Sequence, residues 1–163
     1  MIIALIGMTG AGKTTVGKIL ANKLNYDFLD TDELIRAETQ KTPAEIFAES
    51  GEDAFRTIES ETLENIFAGN HKNIILSCGG GIILREQNRG LLRQNSRVVW
   101  LLRPFEEIAK SPEILSRPPV NNNLDNYIKI FKARESLYTQ TCHFKINFIH
   151  ADEAAARIIA KVI

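Results

Sequence analysis

Short apolar runs alternate along this 163-residue chain with longer stretches of mixed polarity. Residues 2–6 (IIALI), 73–77 (NIILS) and 98–102 (VVWLL) read as strands, and the weaker runs 27–29 and 144–148 complete the set of strand candidates. Between them the apolar positions recur at helical spacing. Val16, Ile19, Leu20 and Leu24 share one face of a helix over 14–24, and Phe55, Ile58, Thr62, Ile66 and Phe67 form a stripe along 51–68. The same reading predicts helices over 32–39, 43–49, 84–94, 105–109, 124–141 and 152–162. Strand following helix in this way predicts an α/β protein with a parallel sheet covered by helices on both faces.

One stretch resists assignment. Residues 110–123, KSPEILSRPPVNNN, hold three prolines and three asparagines, which favour a loop. A loop of that length inside a compact domain is commonly functional, and here it reads as a lid. Neither repeats nor low-complexity tails appear, and the length suits one domain over 1–163.

Composition narrows the picture. Hydrophobic residues make up 44% and charged residues 25%, with a formal net charge of +0. That balance lacks the basic excess of a nucleic-acid binder. Cys78 and Cys142 form neither a metal-type cluster nor a disulfide framework. No apolar run reaches membrane-spanning length, and the first residues lack the features of a signal peptide. The expectation is a cytoplasmic protein without membrane or nucleic-acid partners.

The chemistry begins immediately after the first strand. Gly7-Met8-Thr9-Gly10-Ala11-Gly12-Lys13-Thr14 fits G-x-x-x-x-G-K-[ST] between a strand and a helix. Glycines let successive amides point into one concave nest, and the following helix aims its positive end at the same place. Lys13 adds a charge for terminal phosphates, and the Thr14 hydroxyl suits Mg²⁺. A nucleoside triphosphate is the ligand this loop expects.

Other charges gather around that expectation. In FLDTDELI, Asp30 and Asp32 stand where a strand ends and a helix begins, the position at which open α/β sheets bind ligands. One carboxylate serves Mg²⁺ and the other a hydroxyl proton, while plain helix capping by Asp32 is the competing reading. Arg56 lies one turn before Glu59, and a surface ion pair is the alternative there. Gly79, Gly80 and Gly81 follow an apolar strand and leave bare backbone for a ligand. Arg117 falls in the lid, and Arg134 lies four residues before Tyr138 on a helix. Guanidinium groups bind carboxylate or phosphate through paired N–H bonds.

Taken together, these motifs resemble the shikimate kinase family, in the same order from Gly7 to about Tyr138. The resemblance implies the P-loop kinase fold, a three-layer arrangement with a five-stranded parallel sheet ordered 2-3-1-4-5 and a lid loop. It also implies transfer of the γ-phosphate of ATP to the 3-hydroxyl of shikimate, with Mg²⁺, by a monomer. Gly10, Ala11, Gly12, Lys13, Thr14 and Thr15 match the ATP loop, and Asp30 with Thr14 the metal position. Asp32 matches the aspartate that binds the shikimate hydroxyls and is proposed as base. Arg56 and Arg134 match the carboxylate-binding arginines, and Gly79–Gly81 the glycine run of the acceptor pocket. Arg117 matches the lid arginine that reaches the phosphates.

The chain departs from the family pattern in places. Cys78 stands where threonine is usual before the glycine run, and Lys110 is the nearest basic residue for the adenine side. RPPVNNN replaces the usual apolar run after the lid arginine. Two other classes remain open from the residues: a gluconate- or nucleotide-type kinase of the same fold, and a nucleotide-binding protein without catalysis.

Overall fold

The computed structural model describes residues 1–69, 71–115, 120 and 122–163. Five parallel strands form one sheet: β1 (Ile2–Ile6), β2 (Asp27–Asp30), β3 (Ile74–Ser77), β4 (Arg97–Leu102) and β5 (Phe144–Asn147). Their order is β2-β3-β1-β4-β5, with β1 at the centre between β3 and β4. The order implied by the family resemblance is therefore present. The register sets Leu5 opposite Ser77 and Ser77 opposite Asp30, so three neighbouring strands end at one level. Whatever follows those strands is delivered to a single edge of the sheet.

Alternation along the strands builds two cores. Ala4, Ile6, Leu76, Val98 and Trp100 face Leu63 and Ile66 of α3 (Pro43–Ala68) and Tyr138 of α7 (Leu124–Thr141). Ile3, Leu5, Ile75, Val99, Leu101 and Ile146 face the other way. There they meet Val16 and Leu20 of α1 (Lys13–Leu24) and Ala154, Ala155 and Ile158 of α8 (Ala151–Val162). Burying strands on both faces requires near-continuous apolar runs, which is why IIALI and VVWLL were legible. A smaller cluster of Ile35, Ile46 and Phe55 joins α2 (Thr31–Thr39) to α3.

Element boundaries differ from expectation in informative places. The two helices expected over 43–49 and 51–68 form one element, α3, broken at Gly51 (φ 83°, ψ 172°). Few residues other than glycine take that backbone, so the break sits at the glycine. The start of α3 is fixed by a reciprocal bond pair between Thr42 and Glu45. The helix expected from 84 is instead a 3-10 turn at Ile82–Leu84, followed by α4 (Glu86–Asn95). After α5 (Phe105–Ala109), the stretch expected as loop contains a helical turn, α6 (Pro112–Leu115). Ile114 and Val120 are buried in the core there, so apolar contact wins over the loop-forming composition.

Candidate functional site

The phosphate loop sits between β1 and α1. Gly10 and Gly12 have φ of 76° and 82°, a left-handed region that residues with a Cβ rarely adopt. A methyl on Gly10 would also strike Ile114, so the loop is shaped both by conformation and by the α6 residue lying on it. Among the described residues no side chain caps the start of α1, and no acidic residue lies in its first turn. Its leading amides and helix dipole are left to an anion. Lys13 is largely buried, and its Nζ donates to the carbonyls of Gly7 (2.9 Å) and Met8 (2.8 Å).

Asp30 does two jobs at the end of β2. Its Oδ1 accepts from the Asp32 amide at 3.1 Å, capping α2, and its Oδ2 accepts from Thr14 Oγ1 at 3.0 Å. The cap is therefore Asp30, not Asp32, because Asp30 is the residue whose backbone stays extended before the helix. Thr14 and Asp30 thus present hard oxygen donors side by side at the loop. Among the described residues no group of three or more His, Cys, Asp or Glu side chains could hold a metal. That donor set fits Mg²⁺, which takes one or two protein ligands and completes its shell with water and phosphate.

Asp32 projects to the glycine run. A methyl on Gly79 would lie 2.9 Å from Asp32 Oδ1 and 2.8 Å from Glu59 Oε1. The Gly79 amide donates to Thr31 Oγ1 at 2.9 Å. A methyl on Gly81 would collide with the Arg56 guanidinium. On Gly80, the carbonyl accepts from Tyr138 at 2.5 Å and from Arg134 Nη1 at 3.4 Å. Arg56 and Arg134, which are 78 positions apart in the chain by subtraction of their numbers, therefore meet one three-residue segment.

The Arg56–Glu59 pair is not on the surface. The Glu59 side chain is 1% exposed and that of Arg56 11%. Arg56 Nη1 donates to Glu59 Oε2 at 2.9 Å, and its Nε and Nη2 reach Glu52 Oε1 at 3.3 and 3.2 Å. The surface reading fails because α3 turns this face toward the glycine run. Burial pushes the Glu59 carboxyl above the usual carboxylate range, with Arg56 pulling it back.

A cleft of about 290 Å³ joins the phosphate loop, the β2–α2 corner and the start of the glycine run, while Gly81, Arg56 and Arg134 do not line it. Its walls are Thr9, Gly10, Gly12, Lys13, Thr14 and Thr15 on the loop side, Asp30 and Asp32 from the β2–α2 corner, and Ser77, Cys78, Gly79 and Gly80 after β3. Arg103 and Ile114 close it. Ala11 is buried under the loop and does not line it. Lys110 does not line it either: it is exposed and pairs with Glu107 at 2.7 Å. Arg117 lies outside the described residues. Arg103 was missed from the sequence, although its place just after β4, beside the central strand, is one where α/β sheets bind ligands. Cys78 is buried, and burial raises its thiol well above its ordinary value, so it enters the cleft as a small neutral group.

Comparison with known proteins bears on the family and the fold. The family model described as shikimate kinase matches residues 9–163. A shikimate kinase from Clostridium botulinum (strain Eklund 17B / Type B) is 38% identical over 157 residues, covering 96% of this chain and 93% of that protein. The structure of a shikimate kinase from Acinetobacter baumannii in complex with shikimate is similar with a TM-score of 0.90 and 35% identity, covering 99% of this chain and 92% of that one. The shikimate kinase structure from Bacteroides thetaiotaomicron aligns with a TM-score of 0.89 at 27% identity, covering 99% and 98%.

Proposed function

The chain belongs to the shikimate kinase family and phosphorylates shikimate with ATP, and we propose that the residues around the cleft divide that reaction between a nucleotide end and an acceptor end. The observation that carries the proposal is the glycine run. It adjoins the phosphate loop at Gly80 and meets Asp32, Arg56 and Arg134.

At the nucleotide end, the amides of Gly10 to Thr15 and the start of α1 hold the triphosphate. Lys13 exchanges its bonds to the Gly7 and Met8 carbonyls for phosphate oxygens. Thr14 and Asp30 would hold Mg²⁺, which when bound neutralises phosphate charge. Arg117 is assigned to the phosphates by the family resemblance. At the acceptor end, Arg56 and Arg134 bind the shikimate carboxylate; each charge-assisted bond contributes about 1.5–3 kcal/mol. Glu59 and Glu52 hold the Arg56 fork in place for that contact.

Phosphoryl transfer asks the protein chiefly for positioning. With the carboxylate anchored, the 3-hydroxyl faces the γ-phosphate beside Asp32. The hydroxyl oxygen forms the new bond to phosphorus, the bond from phosphorus to the bridging oxygen of ADP breaks, and Asp32 accepts the proton released. A monomeric, cytoplasmic enzyme acting on two small molecules is the accompanying proposal from the family resemblance, and the zero net charge speaks only against nucleic acid as a partner.

ATP consumption with shikimate, gluconate, nucleoside monophosphates or no acceptor tests this. The expected result is ADP release with shikimate alone and phosphorus–proton coupling that places the phosphate on the 3-position. Turnover with gluconate or a nucleotide instead, or ATP binding with no transfer to any acceptor, contradicts it.

A further inference from the structure

Two tyrosines on α7 reach the two loops that must be aligned for transfer. Tyr127 Oη donates to the carbonyl of Thr9 in the phosphate loop at 2.9 Å, across a sequence separation of 118 residues. Tyr138 Oη, eleven residues later by subtraction of the numbers, donates to the carbonyl of Gly80 at 2.5 Å. The two loops run close together: a methyl on Gly80 would lie 3.1 Å from the Thr9 amide nitrogen and 3.5 Å from the Gly7 carbonyl. Thr9, Tyr127, the helix, Tyr138 and Gly80 therefore form one strut between the two loops.

Both tyrosines are buried, with 2% and 0% exposure. The helix between them is held against β4 and the residues after it. Tyr138 stacks on Trp100 at 5.4 Å, and Phe105 meets Tyr127 at 6.2 Å and Phe131 at 5.2 Å, edge-on in both cases. Burial raises both phenols above their ordinary value, so each stays a donor throughout the working pH range. Each hydroxyl satisfies a carbonyl on one of the two loops, and that of Tyr138 also lies beside the Arg134 side chain.

We propose that Tyr127 and Tyr138 are positioning residues which, through the rigid span of α7, set the spacing between the phosphate loop and the acceptor loop. The proposal rests on the assignment of those two loops to ATP and to shikimate. Two bonds in series through one rigid span have a property that independent bonds lack: cutting either releases the spacing, and cutting the second adds little. Misplacement by about 1 Å is enough to cost up to a hundredfold in rate.

The test is steady-state kinetics of Tyr127→Phe, Tyr138→Phe and the double variant, with thermal melting of each. Each single change is expected to lower kcat about tenfold while the KM values for ATP and shikimate stay within about twofold. The double variant is expected to be no slower than the slower single. Multiplying losses in the double variant would mean two independent bonds and overturn the proposal. So would a normal kcat in either single variant, or a loss that appears in KM alone. If Tyr138→Phe fails to fold, Tyr127→Phe decides by itself: kcat must fall at a temperature where its melting curve shows the variant fully folded. Failure of the parent enzyme to phosphorylate shikimate would instead refute the loop assignments, which keeps the two failures apart.

Discussion

Glu59 accepts from Arg56 Nη1 with one carboxylate oxygen, while its other oxygen is buried beside Gly79 and Asp32 with no hydrogen-bond partner among the described residues. A carboxylate so placed is held by one cation and opposed by its own desolvation. Breaking such a buried pair typically costs about 3–5 kcal/mol, because the remaining charge is left uncompensated.

The pH dependence of stability follows from that environment. Burial raises the Glu59 carboxyl above its ordinary value of 4.5, so in the window just above that value the folded state keeps a proton that the unfolded state has released. The contribution of Glu59 is then fully present at low pH and is lost as pH rises through the folded value. The denaturant stability of the parent minus that of Glu59→Gln, measured between about pH 4.5 and 8, should fall as pH rises. A rise of that signed difference with pH would mean that Arg56, not burial, dominates.

Gly81 offers a way to displace Arg56 without touching its charge. Gly81 has φ −100°, which any residue adopts, yet a methyl there would occupy the space of the Arg56 guanidinium. Gly81→Ala is expected to raise the KM for shikimate at least about tenfold through loss of a charge-assisted contact, with the KM for ATP unchanged. Equal changes in both constants would remove Arg56 from the acceptor end.

Asp32→Asn separates proton acceptance from binding. The α2 cap resides on Asp30, so the substitution leaves the helix start intact. Binding of ATP, followed by calorimetry, should be preserved while kcat falls by at least about a hundredfold. A near-normal rate would take the role of base away from Asp32.

Gly90 provides a contrast to the glycines of the site. It lies inside α4, and a methyl there would meet nothing within 4 Å. Gly90→Ala should stabilise the protein by about 0.5–1 kcal/mol and raise Tm by a few degrees without altering kinetics. A lower Tm would show that this helix tolerates a side chain less well than its open surroundings indicate.

The loop Gly7 to Thr14 was legible because its chemistry is local: a strand, a turn that needs left-handed backbone at Gly10 and Gly12, and a helix follow one another without help from the rest of the chain. The buried strands were legible for the same kind of reason, since an apolar run between two helical layers needs no distant partner to be recognised. Arg103 was not legible, because a single arginine after a strand looks the same whether it borders a cleft or solvent. Residues 110–123 misled in the other direction. Their prolines and asparagines describe a loop, and only the packing of Ile114 on Gly10 and the burial of Val120 turned part of that stretch into core.

By itself the chain's order of residues determined the alternation of strands and helices, the phosphate loop and the kinds of charge available to a small acidic substrate. Tertiary structure alone decided that Arg56 and Glu59 are interior, that Asp30 rather than Asp32 caps α2, and that two tyrosines of one helix hold loops from β1 and β3. The reason is physical: periodicity and turn chemistry act between neighbours in the chain, whereas the burial of a charge and the partner of a carbonyl depend on which distant segments the sheet brings to one edge.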